Sequence, residues 1–223
     1  CLGVVDVIEC VRFARENDVL RCVKGGGHNI AGLATADGAL MLDMSLMRGV
    51  WVDSRGKMGH AQAGCLLGDV DCETQIHGLA AVLGFISLTG IAGLTLGGGF
   101  GYLTRRWGWT ADTVIGMDVV TADARVMRAS SDENSDLFWG LRGGGGNFGV
   151  AASFEFRLHP VGPMVTAGLI AHPVDRAKDV LRFFRKATSS LPADMLLFAA
   201  VLTPRGGVPK IPALVCAPLG STE

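Results

Sequence analysis

Lys24-Gly25-Gly26-Gly27-His28-Asn29 is the stretch whose residue types and order carry the most chemistry. Three consecutive glycines let backbone N–H groups turn outward with no Cβ in the way. A row of such amides makes a concave anion site, the means by which a backbone loop holds a diphosphate. His28 follows directly and is placed beside the bound group rather than in a core. A second glycine-dense stretch, Gly90-Ile91-Ala92-Gly93-Leu94-Thr95-Leu96-Gly97-Gly98-Gly99-Phe100-Gly101, comes about 65 residues later. Two such segments imply a large cofactor laid across backbone.

The elements that must position these residues follow from pattern. Val4 to Asn17 reads as an amphipathic helix, with Val4, Val7, Ile8, Val11 and Ala14 on one face and Asp6 with Glu9 as a capping box. Val19–Lys24 reads as a short strand, so the first glycine loop opens at a strand end. Residues 39–43, 50–53 and 58–63 read as short strands, and 68–77 as a short helix. Leu94–Trp107 is expected as one helix whose N-terminus faces a ligand. Residues 114–121 and 125–129 form an expected hairpin, 131–141 a helix with acids in its first turn, and 150–158 a half-exposed strand. His159-Pro160-Val161-Gly162-Pro163 stops that strand and marks a boundary. Beyond it, strand 164–170, helix 174–189 and strands 196–202 and 211–216 read as the start of a second domain.

Composition narrows the function classes. Among 223 residues, 49% are hydrophobic and 18% charged, enough for a sizeable core. The formal net charge of −1 gives no electrostatic case for nucleic acid or an anionic membrane. Glycine supplies 32 residues, clustered rather than periodic, which excludes a collagen-like chain. The six cysteines (1, 10, 22, 65, 72 and 216) include no C-x-x-C pair, so they read as free thiols rather than zinc ligands. No apolar run reaches the length of a membrane span, and a cytoplasmic location is expected.

Three further patterns read as structural. Gly144-x-Gly146-x-x-Gly149 matches the dinucleotide fingerprint in letters, but a helix precedes it and a strand follows, the reverse of the required order. Asp132-Glu133-Asn134-Ser135-Asp136 imitates a calcium loop, yet Leu137 stands where that loop needs glycine; it reads as a helix-capping turn. His60, His77, His159 and His172 show no paired metal-ligand spacing. No G-x-S-x-G occurs, so hydrolase chemistry is unsupported.

Three segments together resemble a known family: Val23 to Gly32, Gly84-Phe85-Ile86-Ser87 through Gly101, and Leu137 to Val150. In this order and spacing they resemble the flavin-linked oxidases of the berberine-bridge-enzyme type, with their vanillyl-alcohol-oxidase-like (PCMH-type) FAD domain. The resemblance implies an α+β fold. Residues 1–163 would form the FAD-binding domain, built of two α/β subdomains, and 164–223 the beginning of an antiparallel-sheet substrate domain. Because the chain opens on Cys1 and family members continue well past its length, both ends are expected to be incomplete. The FAD-binding residues implied are Lys24, Gly25, Gly26, Gly27, His28, Asn29, Ile30, Ser87, Thr89, Gly90, Gly93, Leu94, Gly97, Gly98, Gly99 and Val150. The first loop would take the diphosphate, with His28 linked covalently to the flavin's 8α-methyl carbon. Ser87–Gly99 would run along the isoalloxazine and ribityl chain, and Val150 would touch the flavin or adenine side. Members with two covalent links carry a Cys-Pro pair where this chain has Ile86-Ser87, which implies a single link through His28. Thr89 would stand near the oxygen-reactive face.

The resemblance implies an FAD-dependent oxidase. It would take hydride from a C–H beside a hydroxyl or amine of a small molecule, with O2 as acceptor. Tyr102, the one tyrosine, lies in the expected flavin-binding helix and is assigned no catalysis, so the base is open. Two rival readings stay open: a dehydrogenase of the same fold with another acceptor, and a flavin-binding fragment without turnover.

Overall fold

Val4–Glu16 winds into a helix, α1, that buries Val7, Val11 and Ala14. The Asp6 carboxylate accepts the Leu2 and Gly3 amides at 2.5 and 3.2 Å, closing the first turn. Those two bonds hold the Asp6 carboxyl below its usual range. The expected capping box is corrected here: the N-cap is Gly3, which has no side chain to reciprocate, and Glu9 instead bonds Arg12 on the exposed face. The computed structural model describes residues 1–202 and 210–218, the side chains only as far as residue 200; the Cys216 thiol lies outside the described residues. The chain folds as two compact units, Cys1–Val161 and Gly162–Glu223.

In the first unit, strand β1 (Arg21–Lys24) pairs in parallel with β2 (Leu40–Asp43), Lys24 opposite Asp43. A five-stranded antiparallel sheet follows, in the order β3 (Val50–Asp53), β4 (Met58–Gln62), β8 (Val150–Arg157), β6 (Val114–Val120) and β7 (Val126–Ser130). The central strand β8 is buried on both faces rather than half-exposed as its alternation suggests. Phe154 and Phe156 face the core. On the opposite face a polar roof covers β8. Ser153 donates to Asp118 at 2.6 Å, and Arg128 bonds both Asp118 and Glu155. Gly116 makes room for that roof, since a Cβ there would lie 2.5 Å from Arg128 Cζ. Buried side chains from α1, β2, the sheet and the connecting segments form one continuous core.

The connecting segments hold the short helices. These are α2 (Leu67–Gln75), α3 (Ile91–Leu96), α4 (Thr104–Trp107), α5 (Thr110–Thr113) and α6 (Ser135–Leu141). A single helix over Leu94–Trp107 does not form. Gly98 and Gly99 adopt φ of 98° and 68°, outside the right-handed helical region, and the chain turns there. The helix expected from residue 131 begins at Ser135, because the Ser130 hydroxyl accepts the Asp132 and Glu133 amides and holds them in a turn. Strand β5 (Leu79–Ala80) pairs with β9 (His159–Pro160), so the proline-rich boundary carries a short ladder of its own.

The second unit holds a three-stranded antiparallel sheet in the order β10 (Gly168–Pro173), β12 (Lys210–Pro218), β11 (Met195–Leu202). Helix α7 (Ala177–Thr188) packs Val180 and Phe184 against Leu197 and Ala199. The strand expected at 164–170 begins later, at Gly168, and its pairing shifts register between Ile170 and His172. No described helix is long and apolar enough to cross a membrane.

Candidate cofactor-binding site

The first glycine loop leaves the C-terminal end of β1. The amides of Gly25, Gly26, Gly27, His28, Asn29 and Ile30 donate to no acceptor among the described residues. Gly27 has φ of 66°, which keeps the run of N–H groups curved rather than extended. The bend is stabilised past the loop: the Asn29 side chain accepts the Leu33 amide at 3.2 Å, and its carbonyl accepts Gly32 at 3.1 Å. The His28 and Ile30 side chains are exposed, and His28 bonds no described residue.

The second glycine segment is pressed against the first. A Cβ on Gly26 would lie 2.5 Å from Gly90 Cα, and one on Gly90 would lie 2.7 Å from Gly26 Cα. The two backbones touch directly, so glycine is required on both sides. Residues 87–91 are held by the segment entering α2. Gly68 donates to the Ser87 carbonyl (3.0 Å), Leu67 to Thr89 (2.9 Å), and Ile91 to Cys65 (2.9 Å). Ile86, Ser87 and Leu88 are exposed along this strip, and Thr89 is half-buried. Gly93, on α3, faces open space: a Cβ there would meet nothing within 4 Å. Leu94 turns inward, against Gly84 and Gly99. Gly97 caps α3, and Gly98 and Gly99 turn the chain toward α5.

The third segment completes the arrangement. A 3₁₀ turn, Gly145–Phe148, packs beside α3 and leads into β8. Val150, Phe148, Val120, Val23 and Val11 border a cavity of about 170 Å³. Sequence reasoning singled out only Val150 there. Val23, two residues before the first glycine loop, was readable as strand, but nothing local in the sequence places it across from Phe148.

Electrostatics separate roles within the candidate set. Lys24 donates to Asp43 Oδ2 at 3.0 Å, so its ammonium is already engaged. The Ser45 hydroxyl and amide, with Lys24, lower the Asp43 carboxyl to about 2. Burial pushes the Cys65 thiol up to about 12, which removes it as a nucleophile. Tyr102 lies in the loop between α3 and α4, its ring edge-on to Phe85 at 4.8 Å. Among the described residues no group of three or more His, Cys, Asp or Glu could hold a metal ion.

A curved run of free amides, a bare histidine and a slot between glycine segments suit an elongated anionic cofactor. The family model of the FAD binding domain matches residues 4–130. The chain belongs to that family. It is 38% identical over 207 residues to an FAD-linked oxidoreductase, pgmH, of Aspergillus terreus, covering 90% of this chain and 42% of that protein. The crystal structure of 6-hydroxy-D-nicotine oxidase from Arthrobacter nicotinovorans matches 100% of this chain and 49% of its own, at TM-score 0.90 and 34% identity. A grass pollen allergen with glucose dehydrogenase activity, Phl p 4, matches 99% of this chain and 45% of its own, at TM-score 0.88 and 29% identity. The chain thus spans less than half the length of these relatives. The berberine-bridge-enzyme-like resemblance drawn from the three motifs holds, as does the α+β, PCMH-type fold.

Proposed function

We propose that this chain holds FAD for an oxidoreductase that removes hydride from a C–H beside a hydroxyl or amine of a small molecule. The observation that carries the reading is the run of six amides, residues 25–30, that meet no acceptor among the described residues and include that of the exposed His28. Those amides would take the diphosphate. The cavity at Val150 and Val23 would take the adenine end, and the strip from Ser87 to Gly99 the ribityl chain and flavin. When bound, FAD supplies the hydride acceptor and passes the electrons on. The protein's part is to fix orientation. Gly26 and Gly90 lock the two loops to one another, and the open face of Gly93 leaves the cofactor a flat approach.

His28 is the proposed attachment residue, and Ile86 leaves the second attachment position without a thiol. No base is assigned: the described residues nearest the strip, Ile86, Ser87, Leu88 and Thr89, carry no group that titrates near neutral pH. O2 is the proposed acceptor, with Thr89 leaving room beside the flavin. A dehydrogenase using another acceptor is the second reading, favoured by the glucose dehydrogenase of the same fold.

The test is acid denaturation of the protein beside a His28→Ala variant. Flavin that stays with the wild-type polypeptide and leaves the variant supports both the cofactor and the link. Flavin released from both keeps the cofactor and sinks the link. Absence of flavin from the wild type removes the whole reading. Peroxide formed per substrate oxidised separates the oxidase from the dehydrogenase.

A further inference from the structure

We infer that Arg142 is a positioning residue that fixes the spacing between the Gly98–Gly99 loop and the turn bordering the Val150 cavity. The inference rests on the FAD reading above, in which these two pieces hold opposite ends of one ligand. Arg142 follows α6 and opens Gly143–Gly149. Its Nε donates to the Ala111 carbonyl at 2.8 Å, and a terminal guanidinium nitrogen reaches Asp112 Oδ1 at 3.2 Å. The guanidinium also lies 5.2 Å from the Phe138 ring centroid, which holds it against its own helix.

Ala111 is the shared residue. Its amide donates to the Gly98 carbonyl at 2.9 Å, and the Thr110 amide donates to Gly99 at 2.9 Å. The second oxygen of Asp112 accepts the Trp109 amide at 2.9 Å, so one carboxylate both caps α5 and holds Arg142. A single guanidinium therefore ties α5, and through it the Gly98–Gly99 loop, to the start of the next glycine turn. That turn transmits position. Gly144 donates to the Gly140 carbonyl at 3.0 Å, Asn147 Nδ2 donates to Gly144 at 2.8 Å, and a Cβ on Gly149 would lie 2.6 Å from the Val120 carbonyl. Its far end, from Gly146 to Val150, lines the cavity.

A ligand spanning both pieces gains from their being held at the right separation before it arrives. A ligand occupying one end gains nothing from it. Lysine offers a point charge in place of the planar fork and cannot hold both acceptors in the same geometry. The side chains involved are partly exposed, so water can replace the lost bonds and the fold should persist.

The test uses the full chain carrying His28→Ala, so that cofactor binding is reversible, with and without Arg142→Met or Arg142→Lys. Titrations with FAD and with ADP, which shares only the adenine and diphosphate end, are compared, and melting of the unliganded proteins checks the fold. Arg142→Met is expected to weaken FAD about tenfold (about 1.4 kcal/mol). ADP should change less than about twofold, and Arg142→Lys should fall between wild type and Met. Equal losses for FAD and ADP, or no loss for either, overturn the positioning role. If the parent binds neither ligand and the wild-type protein carries no flavin, the FAD reading itself fails and Arg142 is left without a task.

Discussion

Gly26→Ala puts the site's geometry to a demanding test. The added Cβ would sit 2.5 Å from Gly90 Cα, whereas unstrained carbon contacts lie at about 3.5–4.0 Å. The obstacle is backbone, so no side chain can rotate away. The loops must separate by about 1 Å or more, or the strain must stay. Overpacking of this kind costs about 1–3 kcal/mol. For a domain of this size, a loss of about 2 kcal/mol lowers the melting temperature by about 4–8 °C. The displacement falls on the amides of the first loop, so in the His28→Ala background, where binding is reversible, flavin content at a fixed, limiting FAD concentration, read from visible absorbance, should drop about tenfold, as for a loss of about 1.4 kcal/mol. Gly93→Ala is the matched control. Its Cβ meets nothing within 4 Å, and alanine favours α3 by up to about 1 kcal/mol, so the unliganded melting temperature should hold or rise. Flavin content should nonetheless fall if the cofactor lies on that open face. A Gly26→Ala protein with wild-type flavin content and melting temperature would refute the loop-to-loop argument.

Other expectations follow from single environments. Thr89→Leu should slow reoxidation by O2 several-fold in stopped-flow traces while flavin content stays constant. The Asp43 carboxyl is lowered to about 2 in the folded protein, so its stabilising contribution is present above its unfolded value of about 4 and lost as pH falls from there toward 2. Half-exposed Lys24 and Asp43 side chains keep that contribution to about 1 kcal/mol or less; Asp43→Asn should melt lower than wild type near neutral pH, and the two should converge near pH 2. A thiol reagent at about pH 8 should label exposed Cys72 quickly and reach Cys65 only on unfolding. Phe154→Ala, at a fully buried position, should cost about 3–5 kcal/mol in denaturant titrations.

What the sequence made legible was local. A glycine triplet before a histidine has a local cause, and so does the hairpin turn at Thr121–Arg125, where Ala124 adopts φ of 62°. Alternation in residues 150–158 correctly put Phe154 and Phe156 on one face. It missed the burial of the other face, because the covering groups, Asp118 and Arg128, come from two other strands, β6 and β7. The engagement of Lys24 was invisible for the same reason, since Asp43 meets it only through the parallel pairing of β1 with β2. The helix expected over Leu94–Trp107 was read from a glycine-rich start and the basic end Arg105-Arg106, and it failed because Gly98 and Gly99 turn the chain between α3 and α4. Contact between Gly26 and Gly90 depends on tertiary assembly, and no window of sequence displays it.

That contact also sets an order of events during biosynthesis. Gly26 leaves the ribosome long before Gly90, and the first loop has no firm wall until the second arrives. A chain emerging at about 5–20 residues per second therefore spends seconds with its amide run present but unsupported. Cofactor capture must wait for the long-range closure, and once it occurs it draws the closed form forward by mass action. Loading thus works as a quality check on the nascent protein: a polypeptide that carries the cofactor has already brought its first two glycine segments together.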